Sequence, residues 1–430
     1  MGDWSTKSML ELGTTYTGLS GKKKDDFGEG DPYVTYLNIF HNCKVRLDLL
    51  DFVHIKQSEK QNKIQKGDAL FTTSSETPEE VGMSSVVTDD IVQNVYLNSF
   101  CFGYRLKNPN EIKANFLAYL LRGHNFRKQM LIAAQGSTRH NLSKKNFYSS
   151  TVFFPLDVNE QEKIAQILTT IDDAIDKTKA IIEKYNSIKI GLMQDLLANG
   201  IDENGLMRSQ KTHKYKDSPL GKIPVEWDAV PILRLGTVSG GSTPKTNEAS
   251  NWGETHVWIT PNDLSNISGK YIFSSERKIT DKGLNQATRQ LLPPNSFIIS
   301  CRAPVGYCAV VKVPFSHNQG CKSIVPNELI ISEYLYYSLV GKKASLERVS
   351  SGTTFLELPK KELESFLIAV PQEIKEQEAI ISRLNSIDSK IEIELRNLSK
   401  YQTIKNGLMQ DLLTHKVPVD PLVERSVENE

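Results

Sequence analysis

The heptapeptide GLMQDLL occurs twice in this chain of 430 residues, at positions 191–197 and again at 407–413. The match extends upstream without a gap, because residues 160–197 and 376–413 are identical at 19 of 38 positions. The shared register continues through Pro155 and Pro371 and through a pair of lysines before each. The chain is therefore a tandem duplication, in which each copy holds a divergent block of roughly 140 residues and a similar block of roughly 45.

The similar blocks carry a helical apolar stripe. Its spacing over several heptads predicts a coiled-coil seam, formed by Ile164, Leu168, Ile171, Ile175, Ile182 and Tyr185 in the first copy and by Ile380, Leu384, Ile387, Ile391, Leu398 and Tyr401 in the second. At 1.5 Å per residue, 38 helical residues would span about 57 Å. Two such helices in one chain, joined by a folded block, pair most simply as an antiparallel coiled coil with approximate two-fold symmetry. The alternative is two independent helices, each packed on its own domain.

The divergent blocks combine strand-like and helical segments. Apolar runs at 68–74, 256–260, 296–301 and 307–313 read as strands, whereas 111–123 and 332–349 read as helices. We predict an α/β (α+β) fold, rich in antiparallel strands, with two globular domains separated by two long helices. The expected boundaries are domain 1 at 1–150, the central helix at 151–198, a linker at 199–226, domain 2 at 227–370, the C-terminal helix at 371–414 and a polar tail at 415–430.

Composition indicates a globular protein without a membrane span. Hydrophobic residues make up 39% and charged residues 24%, with 52 Lys and Arg against 51 Asp and Glu. No apolar run reaches the length of a membrane helix, and the first residues lack the apolar core of a signal peptide. Five scattered cysteines do not suggest a disulfide framework. We therefore expect a cytoplasmic protein.

The near-neutral total hides an uneven distribution of charge. Residues 1–150 and 216–370 each carry a net charge of +3, whereas 151–215 and 371–430 carry −2 and −3. Two mildly basic blocks suggest a polyanionic partner. Each block also contains a Gly-rich segment with lysines and hydroxyls, at 18–24 and at 240–246. Backbone amides, hydroxyls and lysines are the groups that contact DNA phosphates, although an ordinary solvated loop is the alternative for either segment alone.

A second pair of loops, starting at Gly136 and Gly352, recurs just before the long helices. An arginine in such a loop could read a guanine edge or hold a phosphate. The candidate DNA-binding residues are Lys22, Lys23, Lys24, Ser137, Thr138, Arg139, Ser242, Thr243, Lys245, Arg302, Thr353 and Thr354.

Motifs for catalysis are absent from the sequence. It contains no P-loop, no H-E-x-x-H zinc site, no G-x-S-x-G elbow and no G-x-G-x-x-G fingerprint. Asp263, Glu276 and Lys278 have the outline of a nuclease triad, but surface charge explains them more simply. Cys301, Cys308, His317 and Cys321 could suggest zinc, yet they lack a C-x2-C pair, so we expect buried strand thiols.

Taken together, these segments resemble the specificity subunit of type I restriction-modification enzymes. The resemblance rests on P-x4-EQE at Pro155 and Pro371, on the two GLMQDLL ends, on the G-[ST]-T loops, on KYKDSPLGKIPVEW at 214–227 and on GGSTPKT with HVWITPNDL at 240–264. It covers nearly the whole chain.

The resemblance implies that each globular domain is a target recognition domain for one half of a split, asymmetric sequence in double-stranded DNA. The helices would act as the spacer and bind two methyltransferase (modification) subunits, and two restriction (motor and nuclease) subunits would complete the complex. S-adenosylmethionine, ATP and Mg would then belong to the partner subunits, and this chain would bind no cofactor and have no active site. A coiled-coil adaptor and a stand-alone nuclease are the alternative functions.

Overall fold

A computed structural model of the chain describes residues 3–136, 140–302, 304–350 and 356–419. They form two compact units, of which the first is built from two separate parts of the chain and the second from one continuous part. Unit 1 combines Met1–Lys179 with Arg396–Glu430, and unit 2 is Ala180–Leu395. Each long helix therefore contributes its first part to one unit and its last part to the other.

Unit 1 contains a mixed α+β block at its N-terminal end. Its strands are β1 Trp4–Ser8, β2 Gly13–Thr17, β3 Phe27–Val34, β4 Leu50–Val53, β5 Ala69–Thr72, β6 Ser74–Ser75, β7 Ser84–Val86, β8 Tyr96–Leu97, β9 Cys101–Leu106, β10 Ala134–Gln135, β11 His140–Leu142 and β12 Thr151–Pro155. Its helices are α1 Met9–Leu12, α2 Tyr36–His41, α3 Ala114–Leu120, α4 His124–Ala133, α5 Lys144–Ser149 and the first part of α6 Val158–Asn199.

Unit 2 contains the second block and the hairpin that leads into it. Its strands are β13 Tyr215–Ser218, β14 Gly221–Pro224, β15 Trp227–Pro231, β16 Gly236–Gly240, β17 Trp252–Ile259, β18 Tyr271–Ile272, β19 Lys278–Ile279, β20 Ser296–Ser300, β21 Cys308–Val311, β22 Phe315–His317, β23 Cys321–Pro326 and β24 Leu367–Pro371. Its helices are α7 Pro261–Ser265, α8 Asp281–Gln286, α9 Ser332–Val340, α10 Lys343–Arg348, α11 Lys360–Ser365 and the first part of α12 Ile374–Leu412.

The two blocks share one topology despite their different sequences. A sheet with the order β2-β9-β5-β7 in unit 1 corresponds to β16-β23-β20-β21-β18 in unit 2. A second sheet, β4-β3-β8, corresponds to β19-β17-β22, and the pairs β3-β8 and β17-β22 are both parallel. The first strand of each block pairs with the strand before the long helix, so that Trp4 faces Pro155 and Trp227 faces Pro371. The predicted duplication thus extends through the divergent blocks.

The long helices α6 and α12 confirm the predicted helical blocks, with 42 and 39 residues. Both start three residues after a proline and carry a glutamate in the first turn, where negative charge favours a helix. Strand β12 covers Thr151–Pro155, so the start of the segment expected as helix is a strand.

The last leucines of the repeated heptapeptides enter the cores of the two units. Leu196 at the end of α6 is fully buried in the core of unit 2, and Leu412 at the end of α12 is buried in the core of unit 1. The alternative of two helices that pack only on their own domains is therefore wrong. Each copy of GLMQDLL completes the core of the other half of the duplication.

The apolar stripe is buried to different degrees along the helices. Five of the predicted seam residues are buried, namely Ile164, Leu168, Ile175, Ile380 and Leu384. All but Ile175 belong to the domain cores. The other seven are half-buried, namely Ile171, Ile182, Tyr185, Ile387, Ile391, Leu398 and Tyr401.

A buried glutamine attaches each helix start to its block. In unit 1 the Gln161 amide accepts from Lys113 N at 2.8 Å and donates to Glu111 O at 3.0 Å and Pro155 O at 2.9 Å. Unit 2 repeats this with Gln377, Ile331 N, Leu329 O and Pro371 O. Since buried backbone groups must be paired, the EQ motif satisfies three of them in each unit.

A polar cluster joins the two helices in each unit. In unit 1 the Tyr119 hydroxyl donates to Asp172 at 2.9 Å, and Lys405 on α12 pairs with the same carboxylate at 2.5 Å. The counterparts in unit 2 are Tyr337, Asp388 and Lys189. In unit 2, Lys189 contacts Asp388 while Ile201, just beyond α6, contacts Glu376, so the two helix segments run antiparallel.

Candidate nucleic-acid interface

A Gly-rich loop in each unit lies tightly against a neighbouring turn. We call residues 18–24 and 240–246 the glycine loops. In unit 1, Gly18 N donates to Cys101 O at 3.2 Å, and a Cβ atom on Gly18 would lie 2.1 Å from Asn98 O. In unit 2, a Cβ atom on Gly241 would lie 2.1 Å from Asn318 O. Glycine is required at both positions because the two backbones touch.

The turn under each glycine loop is held by an asparagine. We call residues 98–101 and 318–321 the asparagine turns. Asn98 Oδ1 accepts from Phe100 N at 2.8 Å, and Asn98 O accepts from Cys101 N at 3.1 Å. Asn318 makes the same two bonds, to Gly320 N at 2.9 Å and Cys321 N at 3.2 Å. These local bonds give both loops a rigid base.

A third segment, residues 140–143 in unit 1 and 356–359 in unit 2, approaches the same place in each unit, and we call it the third loop. In unit 1, Thr73 N donates to Phe100 O, and Leu142 N donates to Thr73 O at 2.9 Å. In unit 2, Cys301 N donates to Gly320 O, and Leu358 N donates to Cys301 O, both at 2.8 Å. Leu142 and Leu358, which follow the predicted loop segments, therefore lie beside the asparagine turns. Residues 137–139 and 351–355 of those segments lie outside the described residues.

In unit 1 these loops enclose a cavity of about 370 Å³. Its walls include hydroxyls of Thr17, Ser20 and Ser143 and the side chain of Lys144. None of the described lining residues is acidic. Leu19, Phe102, Leu142 and Phe147 make much of the remaining wall apolar. The hydroxyls and the single cation give this otherwise apolar wall groups that can contact a phosphate.

The predicted lysines differ in their availability. Lys22 is not free, because its side chain is 3% exposed and its Nζ contacts Glu59 and His54 O. Lys23 and Lys24 are exposed on the same loop. In unit 2, Lys245 is exposed beside Glu248, with their charged groups 3.1 Å apart. The roles of all four in DNA binding stay predictions.

The hydroxyl residues of the second glycine loop make contacts within the protein. Thr243 Oγ1 bonds to Gln319, and Ser242 O accepts from Trp258 Nε1 at 3.1 Å. Arg302 lies next to the third loop and pairs with Glu357 at 3.1 Å. The predicted residues Ser137, Thr138, Arg139, Thr353 and Thr354 lie outside the described residues.

The cysteines near the second site are buried, as expected. Cys308 lies on β21 and Cys321 on β23, while Cys301 follows β20 directly. Burial raises the pKa of all three thiols, and that of Cys308 to about 12. These thiols therefore stay protonated and act as small apolar side chains.

His317 occupies the position in unit 2 that Leu97 occupies in unit 1. Both side chains are fully buried. Their carbonyls accept equivalent hydrogen bonds, Leu97 O from Leu19 N and His317 O from Ser242 N. His317 Nε2 finds no hydrogen-bond partner among the described residues. Burial lowers the pKa of His317 to about 4.

We expect His317 to make unit 2 sensitive to mild acid. Between about pH 6.5 and 4 the unfolded chain would bind a proton that the folded chain rejects, so stability falls by up to about 1.4 kcal/mol per pH unit. His317→Leu should remove this slope, because leucine fills the equivalent position in unit 1. Denaturant unfolding at several pH values measures it, with the exposed His124→Leu as control. An unchanged slope in His317→Leu would contradict the assignment.

The residues of the alternative nuclease triad serve the local fold. Asp263 takes part in the N-terminal capping box of α7, in which its carboxylate accepts a hydrogen bond from Thr260 N at 2.8 Å. The same carboxylate accepts a second hydrogen bond from Glu276 N at 2.7 Å. Lys278 pairs with Glu254 at 2.5 Å. Within the described part of the chain, no group of three or more His, Cys, Asp or Glu side chains is arranged to hold a metal ion.

The two copies of the duplication, which share one topology, each match a known protein family in sequence. The family model described as type I restriction modification DNA specificity domain matches residues 1–186 and again 224–403. The chain belongs to the type I restriction modification DNA specificity family. Its two matches coincide with the two copies of the duplication, so each copy is one specificity domain of this family.

Relatives in this family include two proteins of Methanocaldococcus jannaschii. The type I restriction enzyme MjaIX specificity subunit is 39% identical over 181 residues, which cover 42% of each chain. The putative type I restriction enzyme MjaX specificity subunit is 27% identical and aligns over 97% of this chain and 94% of its own length. The alignment therefore covers less than half of the length of the MjaIX subunit and nearly all of the length of the MjaX subunit.

A solved structure shares the fold of this family member. The S subunit of a type I restriction-modification system from M. genitalium covers 96% of both chains, with 14% identity and a TM-score of 0.55. Across the described residues, no helix combines the length and the apolar composition that crossing a bilayer would require.

The asparagine turns were not among the predicted site residues. A signal for them exists in the sequence, because Asn98 and Cys101 share the spacing N-x-x-C with Asn318 and Cys321. The two pairs are 220 residues apart rather than 216, so an alignment anchored on the helices does not superimpose them.

Proposed function

We propose that the chain recognises an asymmetric, bipartite target in double-stranded DNA, with unit 1 reading one half-site and unit 2 the other. Each half-site would contact the face on which the glycine loop, the asparagine turn and the third loop meet. The two half-sites would differ in sequence because the side chains on these loops differ between the units.

One observation supports this proposal above the others. The asparagine turns have the same hydrogen bonds in both units, and Leu19 N and Ser242 N attach the glycine loops to equivalent carbonyls. The outward side chains differ, as Phe100 against Gly320 illustrates. A constant frame that presents variable side chains is suited to reading different sequences, since phosphate contacts position a protein and base contacts specify the site.

The remaining roles follow from the family. The chain would assemble with two modification subunits and two restriction subunits, in the cytoplasm. S-adenosylmethionine would bind to the modification subunits, and ATP and Mg to the restriction subunits. The chain itself would have no catalytic role and would act through recognition and positioning alone.

The decisive experiment maps DNA methylation. The full chain is co-expressed with the modification subunit of its own system, and genomic DNA is sequenced for methylated adenines. We expect a single motif made of two unlike half-sites with an unread spacer between them. A continuous or palindromic motif would contradict the assignment of one half-site to each unit.

Binding measurements separate the alternative functions. A DNA-reading subunit should bind its mapped target with an affinity that falls steeply as salt rises. An adaptor that only joins proteins should show no such binding in the presence of its partners. A nuclease should cut DNA as the purified chain with a divalent metal, and that result would overturn the non-catalytic role.

A further inference from the structure

Phe100 is an exposed aromatic side chain at a rigid position of unit 1. It is 59% exposed, at the tip of the asparagine turn between β8 and β9. Its backbone is fixed on both sides, because Phe100 N donates to Asn98 Oδ1 while Phe100 O accepts from Thr73 N and from Thr73 Oγ1 at 2.7 Å. The ring is therefore presented to solvent by a turn that cannot easily retract it.

The fold does not require this ring. The asparagine turn of unit 2 has the same asparagine, the same cysteine and the same backbone bonds, with Gly320 in place of Phe100. A Cβ atom on Gly320 would lie 2.9 Å from the ring of Pro261, so that unit leaves no room for a side chain. The aromatic residue is thus a property of unit 1 alone.

The surroundings of Phe100 favour a nucleic acid over a protein. Its neighbours Ser99 and Cys101 line the cavity formed by the glycine loop and the third loop, together with Ser20 and the exposed Lys144. The described walls hold one cation and no carboxylate. Leu19, Phe102 and Leu142 add apolar surface to the same walls. An aromatic ring beside walls that combine apolar side chains, hydroxyls and one lysine fits a base next to its own phosphate, because bases stack on aromatic side chains whatever their sequence.

We propose that Phe100 stacks as a wedge against one base step of the half-site read by unit 1, while Lys144 and the hydroxyls of the cavity hold the adjoining phosphate. The proposal rests on the proposed function, since it specifies a contact within the same interface. It makes the two half-sites differ in how they are read, because unit 2 has no wedge at the equivalent turn. Apolar wedges at base steps partly unstack the duplex, and their energy depends on the step that they open.

The test uses the full chain with its modification subunit and a duplex that carries the mapped target. The variants are Phe100→Ala, which removes the ring, and Phe100→Tyr, which keeps it. Phe52→Ala is the control, since Phe52 is 47% exposed on β4, at the opposite edge of the sheet from β8. 2-Aminopurine is placed at successive positions of the half-site of unit 1, and binding is followed by its fluorescence.

We expect Phe100→Ala to weaken binding about 5- to 100-fold, in line with the loss of one stacked base. It should also abolish a fluorescence change at a single base step, whereas Phe100→Tyr and Phe52→Ala keep both. Wild-type affinity and fluorescence in Phe100→Ala would overturn the proposal. So would weaker capture of the modification subunit with DNA reading unchanged, which would assign the ring to a protein contact. If the wild-type chain lacks salt-dependent DNA binding, the proposed function fails, a result distinct from an effect confined to Phe100.

Discussion

Replacing Gly241 with alanine should strongly weaken recognition of one half-site and leave the other intact. A Cβ atom at this position would lie 2.1 Å from Asn318 O and 2.3 Å from His317 O, and both are backbone atoms. The glycine loop must therefore move away from the asparagine turn, which separates it from the rest of the interface. Since each lost base contact costs about 1 to 3 kcal/mol, we expect methylation to fall about 10- to 100-fold on the original target.

The neighbouring residue provides a matched control for this prediction. A Cβ atom on Gly240 would meet nothing within 4 Å, so Gly240→Ala should methylate as the wild type does. Gly18→Ala is the reciprocal variant, because its Cβ atom would lie 2.1 Å from Asn98 O in unit 1. Methylation of libraries in which one half-site at a time is randomised measures the outcome. Equal effects of Gly241→Ala on both half-sites would show that the loop does not act within one unit.

The second large effect concerns stability. Glu376 at the start of α12 accepts hydrogen bonds from Trp227 Nε1 at 3.0 Å and from Ile201 N at 2.9 Å, and it pairs with the guanidinium of Arg208. The side chains of this pair are 9% and 7% exposed. We expect Glu376→Ala to destabilise unit 2 by about 3 to 5 kcal/mol, because it leaves two donors without their acceptor and the buried guanidinium of Arg208 with only the more distant Glu226, at 3.7 Å.

Chemical denaturation of the full chain, followed by tryptophan fluorescence, measures this effect. Glu378→Ala on the same helix is the control, because Glu378 is exposed and its replacement should change the free energy of unfolding by less than about 0.5 kcal/mol. Glu376→Gln should give an intermediate loss, since an amide oxygen still accepts the two neutral hydrogen bonds. A loss in Glu376→Ala no larger than that in Glu378→Ala would refute the role of the buried pair.

The sequence predicted the parts of the fold that local patterns determine. The helices α6 and α12 were visible as apolar stripes, and the duplication was visible as identity between distant segments. Strand order was not predictable, because pairing such as β2 with β9 joins residues far apart and leaves no periodic trace. The strands themselves carried their usual apolar runs.

For the candidate interface, too, the sequence showed features of local composition but not contacts between distant segments. The glycine loops stood out through composition, and the asparagine turns beneath them bond to Thr73 in unit 1 and to Cys301 in unit 2. Lys22 pairs with Glu59, which lies in a separate segment of the chain. The sequence could not show this contact, so Lys22 was predicted as an available DNA-binding residue although its side chain is buried. The asparagine turns depend on the fold that places them under the glycine loops.

The crossed use of the two GLMQDLL copies limits which substitutions the chain tolerates. Leu196 and Leu412 each complete the interior of a block that is encoded far away, so a change of volume there demands a compensating change in a remote stretch of the gene. Side chains at the tips of the loops do not fill the core of another part of the chain, so they can change without a compensating substitution. If the proposed function holds, attempts to give this protein a new target should therefore vary the loop tips of one block and keep the heptapeptides fixed, which leaves both cores unchanged.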